Sequence, residues 1–233
     1  MAEKSPPHSI SSLEFWLLWI SATTLAAVAA LLLADLLVFW QYVHGTTEEI
    51  AFGNDNAVGP VVAYAFWIIV LLGPVVGLGQ ALVLKRFAYF AAWKTWWLAS
   101  STLVPTFQAI AIALSLFLAF ILKNDEYMIF GFGALLGLAF GLGQLLLVPR
   151  GYTKPLGRGT WVVSNVIAGP LGIAGGLLVA GTVGGAYFAN ATYNFPFYPL
   201  QSALYWLLGC VAGSTIYSAI SAIALARLLK QPR

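Results

Sequence analysis

Along the chain, long uninterrupted apolar stretches alternate with short polar segments. Six of these stretches are long enough to cross a bilayer, because a helix needs about 20 apolar residues to span a hydrocarbon core roughly 30 Å thick. They cover residues 15–40, 58–84, 95–122, 127–148, 160–188 and 200–226, each to within a few positions. The stretches lack the alternation of a barrel strand, and within lipid every backbone polar group must be paired. We therefore predict an all-α, polytopic integral membrane protein with six transmembrane helices.

The composition supports lipid rather than water as the main solvent. The chain is 61% apolar and 8% charged, whereas about a quarter of the residues in a soluble domain are charged. The predicted organisation is one membrane domain over 1–233, with short tails at 1–12 and 227–233 and loops too short for a soluble domain. The single cysteine, Cys210, excludes an intrachain disulfide bond.

The charged residues predict the orientation. Ten of the eleven bases fall in the two tails and in the segments between spans two and three and between spans four and five. The three remaining loops hold only Lys123, together with five acidic residues. Because cytoplasmic segments are enriched in Lys and Arg, both termini are predicted to be cytoplasmic. The expected location is the inner (plasma) membrane, with a thylakoid membrane as the alternative, and no nucleic-acid partner is expected.

An internal repeat relates two segments at a shift of 64 residues. Gly73–Arg86 aligns without a gap on Gly137–Arg150, and the alignment continues into the next helices. The aligned pairs are Gly73/Gly137, Gly77/Gly141, Gly79/Gly143, Gln80/Gln144, Trp97/Trp161 and Ser100/Ser164. In a fainter third copy, Gly209 and Gly213 repeat the glycine pair and Ile216 occupies the glutamine position. We predict three helix pairs repeated in parallel.

The repeated glycines and glutamines form the candidate packing motif. Glycines four residues apart let a neighbouring helix backbone approach closely. Gln80 and Gln144 lie about one turn from the cytoplasmic ends, where an amide can hydrogen-bond to another helix for about 0.6–2 kcal/mol. Lining a solute path, or holding a pigment metal through water, remain alternatives for the two amides.

Asp35 is the one ionisable residue well inside a predicted span. An intramembrane carboxylate is by default a candidate for proton transfer or ion binding. Its closeness to Trp40 leaves open a structural role at the outer interface. Neither a nucleophile–base set nor a metal-ligand or phosphate-binding motif is present, so no catalytic activity is expected and no cofactor is assigned.

The element GLGQALVLKR (Gly77–Arg86), repeated as GLGQLLLVPR (Gly141–Arg150), resembles an element found in a group of bacterial multi-pass membrane proteins. This group, common in cyanobacteria, carries two copies of a GLxQxLVLR hairpin element and has no assigned activity. The likeness extends over 73–232. Ala81 and Leu145 stand where the group often has tryptophan, and Ser218 stands where glycine is expected. The resemblance implies a fold type and a bacterial source.

Two functions follow as hypotheses. The first is a non-enzymatic scaffold or accessory subunit of a larger membrane complex, such as a photosynthetic one, with the bilayer and other membrane subunits as partners. The second is a small-solute or ion transporter or channel, for which Asp35 and the glutamine pair are the candidate residues.

Overall fold

The computed structural model describes residues 12–44, 58–86, 90–122, 125–147, 155–184 and 200–228, and these residues form six α-helices. Their bounds are α1 Ser12–Val43, α2 Val58–Arg86, α3 Phe90–Leu122, α4 Asp125–Leu147, α5 Pro155–Gly184 and α6 Leu200–Leu228. None of these residues is in a strand, so the all-α prediction is confirmed. Most of the bases and acids on which the orientation depends lie outside the described residues.

The helices fit a multi-pass membrane protein. Over the described residues, five of the six are long and apolar enough to cross a bilayer. The fourth helix has a shorter described apolar part, Gly131–Leu146. Its full length of 23 residues nevertheless corresponds to roughly 34 Å at 1.5 Å per residue, enough to span the hydrocarbon core.

Two helices begin earlier than the hydropathy pattern predicts. The third helix starts at Phe90 rather than near 95, and the fifth starts at Pro155 rather than near 160. Proline is favoured in the first turn of a helix, where its missing N–H has no partner to lose. Hydropathy locates the part of a helix inside the bilayer, and these two helices continue beyond it.

The six helices form a closed ring. Each helix packs against its neighbours in sequence, and α6 returns to pack against α1. Large apolar side chains such as Leu25, Phe117 and Leu178 face outward and are exposed. The inside of the ring contains mainly alanine, together with glutamine, serine, threonine and tryptophan. This distribution suits lipid, where small residues at helix interfaces allow close packing.

Glycine contacts bring several neighbouring helices together. Gly137 of α4 lies directly against the backbone of Asn165 on α5, so a Cβ at this position would collide with the carbonyl group. At the α5–α6 interface, Gly213 lies against the backbone of Gly172. A side chain on either helix would separate the two backbones, and packing at such interfaces is a main source of helix association in lipid.

Candidate functional site

Three buried tryptophans meet at the centre of the ring. Trp19, Trp96 and Trp161 lie on α1, α3 and α5, and each is fully buried. Their ring centroids are 5.9, 6.4 and 5.3 Å apart, and every pair is close to edge-to-face. Because α1, α3 and α5 alternate around the ring, indoles that touch one another must fill its middle. We call these residues the tryptophan triad.

A polar residue follows each member of the triad by four positions. These residues are Thr23, Ser100 and Asn165, and all three are buried. Four residues correspond to about one helical turn, so each polar side chain lies one turn further into the bundle on the same helix face. The odd-numbered helices thus present a tryptophan and a polar group to the centre at matching heights.

The even-numbered helices also contribute polar residues, and Gln80 of α2 has the most contacts. Its Oε1 accepts hydrogen bonds from Trp96 Nε1 at 3.0 Å and from Gln144 Nε2 at 2.7 Å. Its Nε2 donates to Thr23 Oγ1 at 3.4 Å. One buried amide therefore connects α1, α2, α3 and α4.

Further bonds bring the last two helices into the same network. Trp19 Nε1 on α1 donates to Ser221 Oγ on α6 at 3.2 Å, across 202 residues of sequence. The Tyr217 hydroxyl of α6 donates to Asn165 Oδ1 of α5. We define the polar layer as Thr23, Gln80, Ser100, Gln144, Asn165 and Ser221. Together with the triad, the polar layer links all six helices.

Some buried polar atoms at the centre have no hydrogen-bond partner among the described residues. Trp161 Nε1, a donor, and Gln144 Oε1, an acceptor, are two of them. Both amide atoms of Gln108, two turns beyond Ser100 on α3, are also unpaired although its side chain is only 1% exposed. Unpaired buried polar groups are costly, so these atoms stand out from the hydrogen-bonded groups around them.

The tryptophan triad lies near the end of the ring that carries the described bases, which we call the basic end. Lys85 and Arg86 end α2, and Lys94 lies in the first turns of α3. Arg158 of α5 donates to the carbonyl of Leu145 at 2.6 Å. That bond caps a carbonyl in the last turn of α4, where helix carbonyls have no partner within the helix.

The predicted site residues fall in different places. Gln80 and Gln144 are brought together, with both side chains buried. Asp35 lies on the exposed face of α1, while the adjacent Ala34 is buried. Its position is 12 residues beyond Thr23, or roughly 18 Å along the helix. It is therefore remote from the polar layer, and its role in ion binding stays a prediction.

The predicted glycines all lie at helix interfaces. Gly73 and Gly77 pack against Ser100 of α3, and Gly141 packs against α5. The remaining members pack as follows: Gly79 on Ala22 and Ala26 of α1, Gly137 on Asn165, Gly143 on Val104 of α3, Gly209 on Gly176, and Gly213 on Gly172. The α6 pair therefore contacts α5 within its own predicted helix pair. In α2 and α4, the first two glycines of each motif contact the following helix, and the third, Gly79 or Gly143, contacts the preceding one.

Two alignments drawn from the sequence are wrong in register. Trp96, not Trp97, is the partner of Trp161 in the triad, and Trp97 is exposed at 41%. In α6, the alignment pairs Ile216 with Gln80 and Gln144, but the residue that accepts a hydrogen bond from a triad tryptophan is Ser221. For the tryptophans the reason is the connection between the helices: Trp96 follows Gln80 by 16 positions, whereas Trp161 follows Gln144 by 17, and a gapless shift ignores this difference.

The sequence analysis did not single out the tryptophan triad, Asn165 or Ser221 as site residues. A detectable signal exists: each odd-numbered helix carries tryptophan followed four residues later by threonine, serine or asparagine. The signal is obscured because the same helix starts hold other tryptophans, such as Trp16, Trp93 and Trp97, which read as interfacial anchors.

The fold and the site together define a multi-pass helical bundle whose closed ring is filled at the basic end by tryptophan and amide side chains. Within the described residues, no group of three His, Cys, Asp or Glu is arranged to hold a metal ion. The chain matches no protein-family model, no curated protein and no solved structure.

Proposed function

We propose that this protein is a non-enzymatic structural component of a membrane, acting as a scaffold or accessory subunit of a larger membrane complex. The observation that carries the proposal is the hydrogen-bonded centre of the ring. Gln80 alone connects four helices, and the Trp19–Ser221 bond connects α1 to α6. Hydrogen bonds between helices at the axis hold the bundle in one conformation. Its outer surface then has a constant shape, which a scaffold needs in order to bind its partner subunits.

Transport is less well supported by the same geometry. Transporters built from repeats alternate their access by moving one repeat against another around a central site. Here such a movement has to separate the tryptophan triad and break buried bonds between helices. The candidate carboxylate, Asp35, is on the outer face of α1 rather than in the interior.

One observation favours a transporter or channel as the second candidate. Gln108, Gln144 and Trp161 carry unpaired buried polar atoms inside the bundle. Gln108 lies 12 residues beyond Trp96 on α3, or roughly 18 Å along the helix. Polar positions at two depths are what a small solute would meet on its way through the ring.

We also propose how the protein is oriented in its membrane and how its repeated helices arose. With the basic end in the cytoplasm, as the distribution of bases favours, both termini are cytoplasmic and the protein resides in the inner membrane of a bacterium or in a thylakoid. The recurrence of tryptophan and a polar residue four positions later on α1, α3 and α5 supports an origin by repetition of one helix pair.

A disulfide lock separates the two functions. Thr24 on α1 and Ser218 on α6 have side-chain oxygens 3.4 Å apart where the ring closes. Thr24→Cys with Ser218→Cys, in a Cys210→Ser background that removes the native thiol, places two sulfurs across this closure. We expect oxidation to cross-link the two positions in high yield, visible as a mobility shift on a denaturing gel.

The locked and reduced proteins are then compared in two assays. For a scaffold, purification from the source membrane in mild detergent yields the same stoichiometric partner with either form. Liposomes containing the protein take up urea, glycerol and K⁺ no faster than empty liposomes. A partner-free particle with solute flux that oxidation abolishes contradicts the scaffold and establishes transport. The Cys210→Ser background alone, treated with the same oxidant, is the control.

A further inference from the structure

A groove on the outer face of the α1–α2 pair points to a lipid-binding site. It encloses about 450 Å³ and runs along the two helices at the basic end. Its walls are apolar and include Leu18, Leu25 and Leu82, and Arg86 is the one charged residue among the described residues that line it. Gly79 lies at the floor between the two helices, where they are in close contact, because a Cβ there would meet the Ala22 carbonyl oxygen at 2.9 Å.

The groove is at the end of α2 that carries two consecutive cations, Lys85 and Arg86. Lys85 Nζ and Lys94 Nζ lie 5.2 and 5.8 Å from the centre of the Trp93 ring. Arg86 itself is 67% exposed and pairs with Glu14 at 3.5 Å. Arg86 is thus the cation at the groove itself, with Glu14 as its partner, and the two lysines lie beside it at the boundary of α2 and α3. Trp93 is half-buried, at the level where tryptophan marks the bilayer interface.

A second groove on the same helix pair provides an internal comparison. It also encloses about 450 Å³ and is lined by Leu33, Leu36, Phe39, Trp40 and Leu71 among others. Among the described residues, all that line it are apolar and none is a cation. Both grooves have the same volume and are formed by the same two helices, α1 and α2. The difference between them is Arg86, which puts a positive charge at the end of the first groove, where a lipid headgroup would lie.

We propose that the groove at the basic end binds one anionic phospholipid of the adjacent leaflet. One acyl chain lies along Leu18, Leu25 and Leu82, and the phosphate lies at Arg86, with Lys85 and Lys94 on the neighbouring side. Charge complementarity selects an anionic headgroup over a zwitterionic one. Each basic residue near a membrane surface contributes roughly a fivefold increase in affinity for anionic lipid.

The test measures lipid retention by native mass spectrometry on the full-length protein in detergent. The probes are phosphatidylglycerol and phosphatidylcholine with identical acyl chains. We expect phosphatidylglycerol to be retained preferentially. Arg86→Gln should weaken its binding roughly fivefold and leave phosphatidylcholine unchanged. Glu14→Gln should strengthen phosphatidylglycerol binding, because it removes the carboxylate that competes for the same guanidinium group.

Filling the groove tests the acyl-chain position. Leu82→Trp occupies the proposed groove and should abolish the preference for phosphatidylglycerol, whereas Leu36→Trp fills the second groove and should leave it intact. Both positions are exposed on the lipid-facing surface, and thermal unfolding of each variant checks that the fold is retained. Equal retention of the two lipids, or an unchanged preference in both Arg86→Gln and Leu82→Trp, overturns the proposal. A dimeric particle that Leu82→Trp converts to monomer also overturns it, because a second copy of the chain is then the occupant.

Discussion

Replacing Gln80 by leucine tests whether the polar layer stabilises the ring. Gln80 is 1% exposed and takes part in three hydrogen bonds with other helices. Leucine has a similar volume and no polar atoms, so the substitution removes the bonds while leaving little empty space. Trp96 Nε1 then loses its acceptor, whereas Gln144 Nε2 keeps a bond to Ser100 Oγ at 3.1 Å.

The expected destabilisation follows from those bonds. Interhelical hydrogen bonds in membrane proteins average about 0.6 kcal/mol each, so three amount to about 2 kcal/mol. A buried donor left without an acceptor costs about 1–3 kcal/mol, and this penalty overlaps with the loss of its bond. We therefore expect Gln80→Leu to lower the free energy of unfolding by about 2–4 kcal/mol.

Gln108→Leu is the matched control. Gln108 is also a glutamine, is buried to the same 1%, and has no hydrogen-bond partner among the described residues. Its replacement removes an unpaired polar group, so we expect unchanged or increased stability. The assay is reversible unfolding in mixed micelles with increasing sodium dodecyl sulfate, followed by circular dichroism. Equal stability of Gln80→Leu and the wild type refutes the role of the polar layer. Equal losses in both variants show that Gln108 holds a bound water or solute.

Three further comparisons use the same assay. Trp96→Phe should lower the free energy of unfolding by about 1 kcal/mol more than Trp161→Phe does, because only Trp96 loses a hydrogen bond at its indole nitrogen. Equal decreases in the two variants imply a bound partner at Trp161. Gly137→Ala should destabilise by about 1–3 kcal/mol through overpacking against a backbone carbonyl, whereas Gly131→Ala, with open space around its Cβ, should be neutral. Arg158→Met should cost about 1 kcal/mol and speed amide exchange in the last turn of α4, and unchanged exchange contradicts the capping role.

The number and type of helices follow from hydropathy because lipid imposes one strong rule. A long apolar stretch in a bilayer must be a helix that pairs its own backbone groups. The six predicted stretches and the six helices agree for this reason. Hydropathy carries no information on which helices touch, since lipid and protein interior are equally apolar. The closed order of the ring therefore had to come from the structure.

The polar layer was only partly predictable. Gln80 and Gln144 stand out because an amide inside an apolar helix is unusual and the two occupy equivalent repeat positions. Ser221 and Asn165 do not stand out, since single small polar residues are common in membrane helices. Their importance depends on the height at which α5 and α6 sit in the ring. That height is set by the contacts that glycines make with neighbouring helices. Aligning the repeats along the sequence does not show these contacts.

Closure of the ring explains why polar groups are used at its centre. Apolar side chains pack against lipid tails about as well as against each other, so apolar packing alone does not determine which helix faces which. A hydrogen bond is directional and leaves an unpaired group if the register slips. The Trp19–Ser221 bond joins α1 to α6 across 202 residues, at the one helix pair of the ring that adjacency in sequence does not bring together. Thr24 contacts Ser218 and Thr215 on the same interface. These α1–α6 contacts thus lie where the chain connectivity gives the least guidance, which is the placement expected of groups that set the register of a ring.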